Sequence, residues 1–126
     1  MALHNIAISI VVAGFFGLFG GEEGDQALLE LLEVGGSDLS KPHEIDFFLC
    51  FPLKPTARFA ARLIAQAGFR TEVTKEEDAG WLKWDCQATK IMVPKTAALK
   101  RIRFTFSLIA LLCLGKYDGW QTGPVK

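Results

Sequence analysis

The chain is poor in residues that carry ready-made chemistry. Among 126 residues there are two histidines, three cysteines and one tyrosine, and the net charge is zero. Fourteen basic residues against fourteen acidic ones argue against a general electrostatic nucleic-acid binder, which is normally basic. The cysteine count is odd and no C-x-x-C spacing occurs, which excludes a zinc ribbon or a dithiol redox motif. Cys50, Cys86 and Cys113 lie in apolar or alternating runs and read as buried, reduced thiols of a reducing compartment. No apolar run reaches the roughly 20 residues that span a bilayer. No internal repeat or low-complexity tract is present. A composition of 50% hydrophobic and 22% charged residues excludes intrinsic disorder. This length makes one domain, large enough to bury roughly two-thirds of its unfolded surface without disulfides or metal.

What is present is asymmetric. Residues 1–50 hold eight acids and one base, Lys41, whereas residues 51–126 hold thirteen bases and six acids. Such a chain packs its halves together or turns two faces to partners. Residues 6–19 are almost wholly apolar, broken by Ser9, Gly14 and Gly17. A signal peptide would need a basic start, and residues 1–5 offer only His4. A membrane span would need more length. The favoured reading is a buried or oligomer-facing segment.

Gly20, Gly21 and Gly24 read as a hinge, with Asp25 as N-cap of a short helix over 26–34 that Gly35 and Gly36 end. Residues 37–42 form a polar linker, and His43 falls in it as a solvated residue. Residues 45–51 read as a fully buried central strand. Pro52 and Pro55 stop it, and Pro55 suits a first helical turn. Residues 56–68 form an amphipathic helix with Phe59, Ala60, Leu63, Ile64 and Ala67 inward and Arg58, Arg62 and Gln66 outward. Strands follow at 69–74 and 81–93, around a charged turn at 75–80. Thr96 is the expected N-cap of a helix reaching residue 114, and 117–125 supplies a last strand. The order βαββαβ predicts an α+β fold of the ferredoxin-like, split βαβ type, a four-stranded antiparallel sheet with both helices on one face. An apolar segment and a short helix precede it.

The second helix is unusual. Between residues 104 and 114 only Thr105 and Ser107 are polar. An all-round apolar helix end needs cover, and the expected cover is the N-terminal segment or a second copy in a homodimer.

Tests for chemistry return little. His43-Glu44-Ile45-Asp46 is not H-E-x-x-H, and His43, Asp46 and Cys50 match no familiar metal spacing. Asp46 and Asp85 are a candidate carboxylate pair on neighbouring strands. The glycines at 17, 20, 21 and 24 spell neither G-x-G-x-x-G nor a P-loop. Phe47, Phe48, Phe51, Trp81 and Trp84 could stack bases, but the third strand lacks the basic-glycine-aromatic signature, so core packing is the better reading. No catalytic residue, cofactor, metal or direct nucleic-acid contact is expected.

One stretch is more specific. Gly68-Phe69 leads into an alternating strand, then an acidic turn, Glu76-Glu77-Asp78. Trp81 opens the next strand, which closes on Lys90-Ile91-Met92-Val93-Pro94, and a long helix is followed by Tyr117-Asp118-Gly119-Trp120. This resembles the RraB family, the ribonuclease E inhibitors called regulator of ribonuclease activity B. The segment 25–51 fits as well. The resemblance implies a ferredoxin-like domain over 25–126, after an apolar segment and hinge at 1–24, that is not an enzyme. It implies a cytoplasmic protein that binds ribonuclease E outside its catalytic part and alters RNA decay. Trp81, Met92, Pro94, Tyr117, Asp118, Gly119 and Trp120 would be structural, with Asp118-Gly119 a turn. Glu22, Glu23, Asp25, Glu30, Glu33, Glu76, Glu77 and Asp78 are the candidate acidic edge for a basic partner. The rival reading is a membrane-associated or dimeric domain using Phe15, Phe16, Phe19 and residues 104–114.

Overall fold

The computed structural model describes residues 21–77 and 80–125. The chain runs α1 (Gly21–Val34), β1 (His43–Phe51), α2 (Lys54–Gln66), β2 (Arg70–Lys75), β3 (Trp84–Met92), α3 (Thr96–Leu112) and β4 (Lys116–Thr122). The strands form one antiparallel sheet in the order β2-β3-β1-β4. This is the ferredoxin-like arrangement expected from the element order, with α1 added to the helical layer. The apolar segment at 6–19 lies outside the described residues.

The core sits between one face of the sheet and the helices. Ile45, Phe47, Leu49 and Phe51 alternate inward from β1 and are fully buried. Cys86 and Ala88 join them from β3. Phe47, Phe69 and Phe106 meet edge to face at centroid distances of 5.1–5.8 Å, the geometry aromatic quadrupoles favour. Helix α2 lies over β2 and β3. Its buried face is Ala57, Ala60, Ala61 and Ile64, whereas Phe59 is 54% exposed and Ala67 is also exposed. The expected stripe is therefore rotated by part of a turn. Small alanines let the helix approach Cys86 and Ala88 closely, and a phenylalanine there would overfill the space.

Other boundaries shift for local reasons. Gly21 and Gly24 are helical rather than a hinge, so the expected division between residues 24 and 25 falls inside α1. Thr96 already belongs to α3, its neighbour Lys95 takes the cap position, and no side chain caps the helix. Trp81 lies before β3 and is 71% exposed. Asp118-Gly119 is no turn. It forms an irregularity inside β4, where the register against β1 shifts between Phe48 and Leu49, and Gly119 takes a positive φ of 105°. His43 is the fully buried first residue of β1, not a solvated linker residue. Its Nδ1 lies 2.8 Å from the Lys41 carbonyl oxygen and its Nε2 2.7 Å from Ser37 Oγ. A carbonyl only accepts, so Nδ1 carries the proton and Nε2 faces the hydroxyl.

Asp25 is the largest departure. It does not cap a helix; it sits in the second turn of α1 and is 4% exposed. Trp120 Nε1 donates to Oδ1 at 2.9 Å, and Arg103 Nε donates to Oδ2 at 3.3 Å. One carboxylate thus ties α1 to β4 and α3. At the far end of α1, the Val125 amide donates to Ser37 Oγ at 2.9 Å.

Two predictions follow from this packing. Asp25→Ala leaves the Arg103 charge and the Trp120 N–H without their acceptor and should cost roughly 3 kcal/mol in urea unfolding. A Cβ at Gly115 would overlap the Cys50 carbonyl oxygen and the Phe51 ring, while nothing lies near a Cβ at Gly123. Gly115→Ala should therefore cost roughly 2–3 kcal/mol, and Gly123→Ala should stay within about 0.5 kcal/mol of the parent.

Candidate interaction surfaces

Alternation along β1 sends Glu44, Asp46, Phe48 and Cys50 to the sheet face that no helix covers. The expectation of a strand buried on both faces fails for this reason. The register places Asp85, Gln87, Thr89 and Ile91 of β3 beside them, and Arg70, Glu72 and Thr74 of β2 next in line. From β4 come Lys116, Gly119 and Gln121. The open face is therefore polar, with carboxylates in excess. Asp46 accepts from Thr89 Oγ1 at 2.7 Å and from Gln121 Nε2 at 3.4 Å. A hollow of about 270 Å³ lies against Glu44, Asp46 and Gln121, and one of about 250 Å³ against Arg70, Glu72 and Gln87.

Asp46 and Asp85 do not form the carboxylate pair considered above. Asp46 stands opposite Thr89, and Asp85 opposite Cys50. Cys50 is only half-buried, unlike Cys86 and Cys113. Its thiol hydrogen-bonds the Asp85 carboxylate. Burial first, and then the charges of Asp118 and Asp85, push the Cys50 thiol up to about 12. Burial likewise pushes Cys86 up to about 11 and raises Cys113. Thiols held this far above neutrality stay protonated and are poor nucleophiles. Burial also raises Asp85, helped by the charges of Glu76 and Asp118, against the lowering effect of the Cys50 hydrogen bond. Among the described residues, no group of three His, Cys, Asp or Glu side chains could hold a metal ion.

The expected acidic edge divides. Glu22 and Glu23 fall on the first turn of α1, and Glu30 and Glu33 are exposed further along it. Asp25 is withdrawn into the core. Glu76 and Glu77 are exposed after β2, at the opposite edge of the sheet from β4. Asp78 lies outside the described residues. The turn and α1 thus form two separate acidic groups, and the open sheet face adds a third that includes Glu72 and Asp85. The last was legible as alternation in Glu44/Asp46, Arg70/Glu72 and Asp85/Gln87.

Of the motif residues, Trp120 and Pro94 are buried, and Met92 and Tyr117 are half-buried. Tyr117 packs edge-on to Phe106 at 6.2 Å. Asp118 is exposed, and Gly119 is buried opposite Phe48. The family model described as Regulator of ribonuclease activity B, RraB, matches residues 22–122. The chain belongs to the RraB family. That match runs from the first turn of α1 to the end of β4, so the whole described fold is the RraB fold. The comparison with curated proteins finds no match. No helix among the described residues is long and apolar enough to cross a membrane.

The Asp85 environment generates a prediction. Its carboxyl is raised in the folded state, so its ionisation opposes folding, and the loss grows as pH rises through the carboxylate range. Asp85→Asn should gain stability at pH 7, by less than about 1 kcal/mol because the site is partly solvated. The gain should vanish below about pH 3, where the acid is neutral in both states. Paired urea titrations across that range read this directly.

Proposed function

We propose that this RraB-family chain is a non-enzymatic regulator that binds a ribonuclease, ribonuclease E in the first place, and inhibits it, slowing RNA decay in the cytoplasm. The observation that carries this reading is the uncovered sheet face. It presents Glu44, Asp46, Glu72 and Asp85 against Arg70 and Lys116, with Glu76 close enough to Asp85 to act on its charge. An excess of carboxylates on a firm sheet suits an arginine- or lysine-rich segment of a partner, outside its catalytic part. Such a surface also repels RNA phosphates, which favours a protein partner over the nucleic acid itself. Glu76 extends this site beside Asp85, and Glu77 and Asp78 are offered with it as partner-binding residues. Glu30 and Glu33, exposed on α1, are a separate acidic pair, and Glu22 and Glu23 of the same helix are offered with them as partner-binding residues.

The test is a binding titration against ribonuclease E with an RNA cleavage assay alongside. Glu72→Lys with Glu76→Lys and Glu77→Lys should weaken binding about tenfold or more, flatten its salt dependence and relieve the inhibition. Glu30→Lys with Glu33→Lys should change affinity less. Unchanged affinity in the first variant would sink the assignment of the sheet face. Failure of the parent protein to bind or slow the nuclease would sink the partner.

A further inference from the structure

Helix α3 carries two apolar stripes. One, through Leu99, Phe106 and Ala110, is buried in the core. The other looks the opposite way. At about 100° per residue, Phe104, Leu108, Leu111 and Leu112 fall on one side of the helix, turned away from Leu99, Phe106 and Ala110. All four are exposed, the last two at 70% and 79%. A surface helix normally keeps that side polar. Leu114 extends the patch past the helix end, 64% exposed. There the Gly115 amide donates to the Ala110 carbonyl oxygen at 2.7 Å, and Leu114 takes the left-handed position with a φ of 65°. Glycine is the usual residue at such a helix end, because a Cβ is strained there. A leucine kept at that position and left in solvent serves apolar surface rather than the core.

The size of the patch fits a second copy of the chain. Together the five side chains leave roughly 600 Å² open, so a two-fold contact would cover roughly 1,200 Å² from both copies, the size at which specific interfaces begin. The charge pattern fits an antiparallel pair. Helix α3 has no base in its last turn, so its own side chains leave the negative end of the helix dipole unanswered. Arg101 is exposed on the same side as Phe104 and Leu108. With a two-fold axis beside Leu108, Arg101 of each copy comes to the C-terminal end of the other α3, and Phe104 comes opposite the partner's Leu112. The two Arg101 charges then stand about 20 Å apart along the helices, at 1.5 Å of rise per residue, more than twice the screening length at physiological salt. A single arginine within the stripe is little charge to select an acidic partner, whereas an apolar stripe is its own complement across a two-fold axis.

We propose that the chain forms a two-fold homodimer in which the exposed α3 stripes of two copies pack antiparallel and seal Phe104, Leu108, Leu111, Leu112 and Leu114 from water. The sheet lies on the other side of α3, so the dimer turns its two acidic sheet faces outward, both open to a partner. Dimerisation does not depend on ribonuclease binding.

The test is sedimentation velocity of the full chain from about 1 to about 100 µM, the range in which an interface at the small end of the scale associates. The average mass should rise from one chain to two. Leu108→Asp with Leu111→Asp should leave a monomer at every concentration while keeping the far-UV circular dichroism of the parent, because both side chains face solvent in the single chain. Arg101→Glu sets an acid against the partner's helix end at both symmetric contacts and should weaken the dimer about tenfold. Ile91→Asp, at a comparably exposed apolar residue on the open sheet face, should change nothing. A dimer that survives the double substitution, or one that Ile91→Asp dissolves, would overturn the proposal by placing the contact elsewhere on the chain. A parent that stays monomeric at about 100 µM would also overturn it: binding of a hydrophobic dye would then show that the stripe is kept for a different protein, and no binding that the rest of the chain covers it.

Discussion

A carboxylate taken out of water destabilises a fold unless donors meet both of its oxygens. Asp25 is met by the Trp120 indole on one oxygen and the Arg103 guanidinium on the other. The helical layer depends on this arrangement. Helix α1 is short, packs on α3, and has few buried side chains beyond Leu28 and Leu29 to hold it. Without the bridge it would be a marginal helix, since isolated helices of about this length rarely persist in water. With it, α1 is fixed against α3 and β4.

The second organising constraint is that one sheet face is covered and the other is not. Antiparallel sheets tolerate this because alternate residues point to opposite sides. Glu44 and Asp46 on β1, Glu72 on β2 and Asp85 on β3 all fall on the open side, while both acid-free helices lie on the covered side. The charge separation between the halves of the sequence is thereby redistributed. Acids from both halves meet on the sheet, and the bases of α2 and α3 face the other way. A neutral protein thus becomes electrically two-sided, with each side suited to a different kind of surface.

The strands, the two main helices and their order were legible because period-two and 3.6-residue patterns are local properties. The family motif was legible for the same reason, since Met92 to Pro94 and residues 117–120 are each short local stretches of sequence. What escaped was decided at long range. An aspartate after glycine, ahead of a leucine-rich run, looks like an N-cap; only Arg103 and Trp120, 78 and 95 residues away, make it a core residue. The burial of His43 rests on Ser37 and on the return of Val125 to that corner. The rotation of α2 depends on the small residues Cys86 and Ala88 beneath it. Asp118-Gly119 has the composition of a turn, but pairing with β1 on either side forces it into an irregularity of the strand.

The same long-range closures dictate when the fold can be completed. Ser37 waits for Val125, 88 residues later, and Asp25 for Trp120. During synthesis α1 is made well before these partners. Until they are in place α1 has neither its full electrostatic clamp nor its corner. A chain broken off before β4 would therefore lose Trp120 and with it the anchorage of α1.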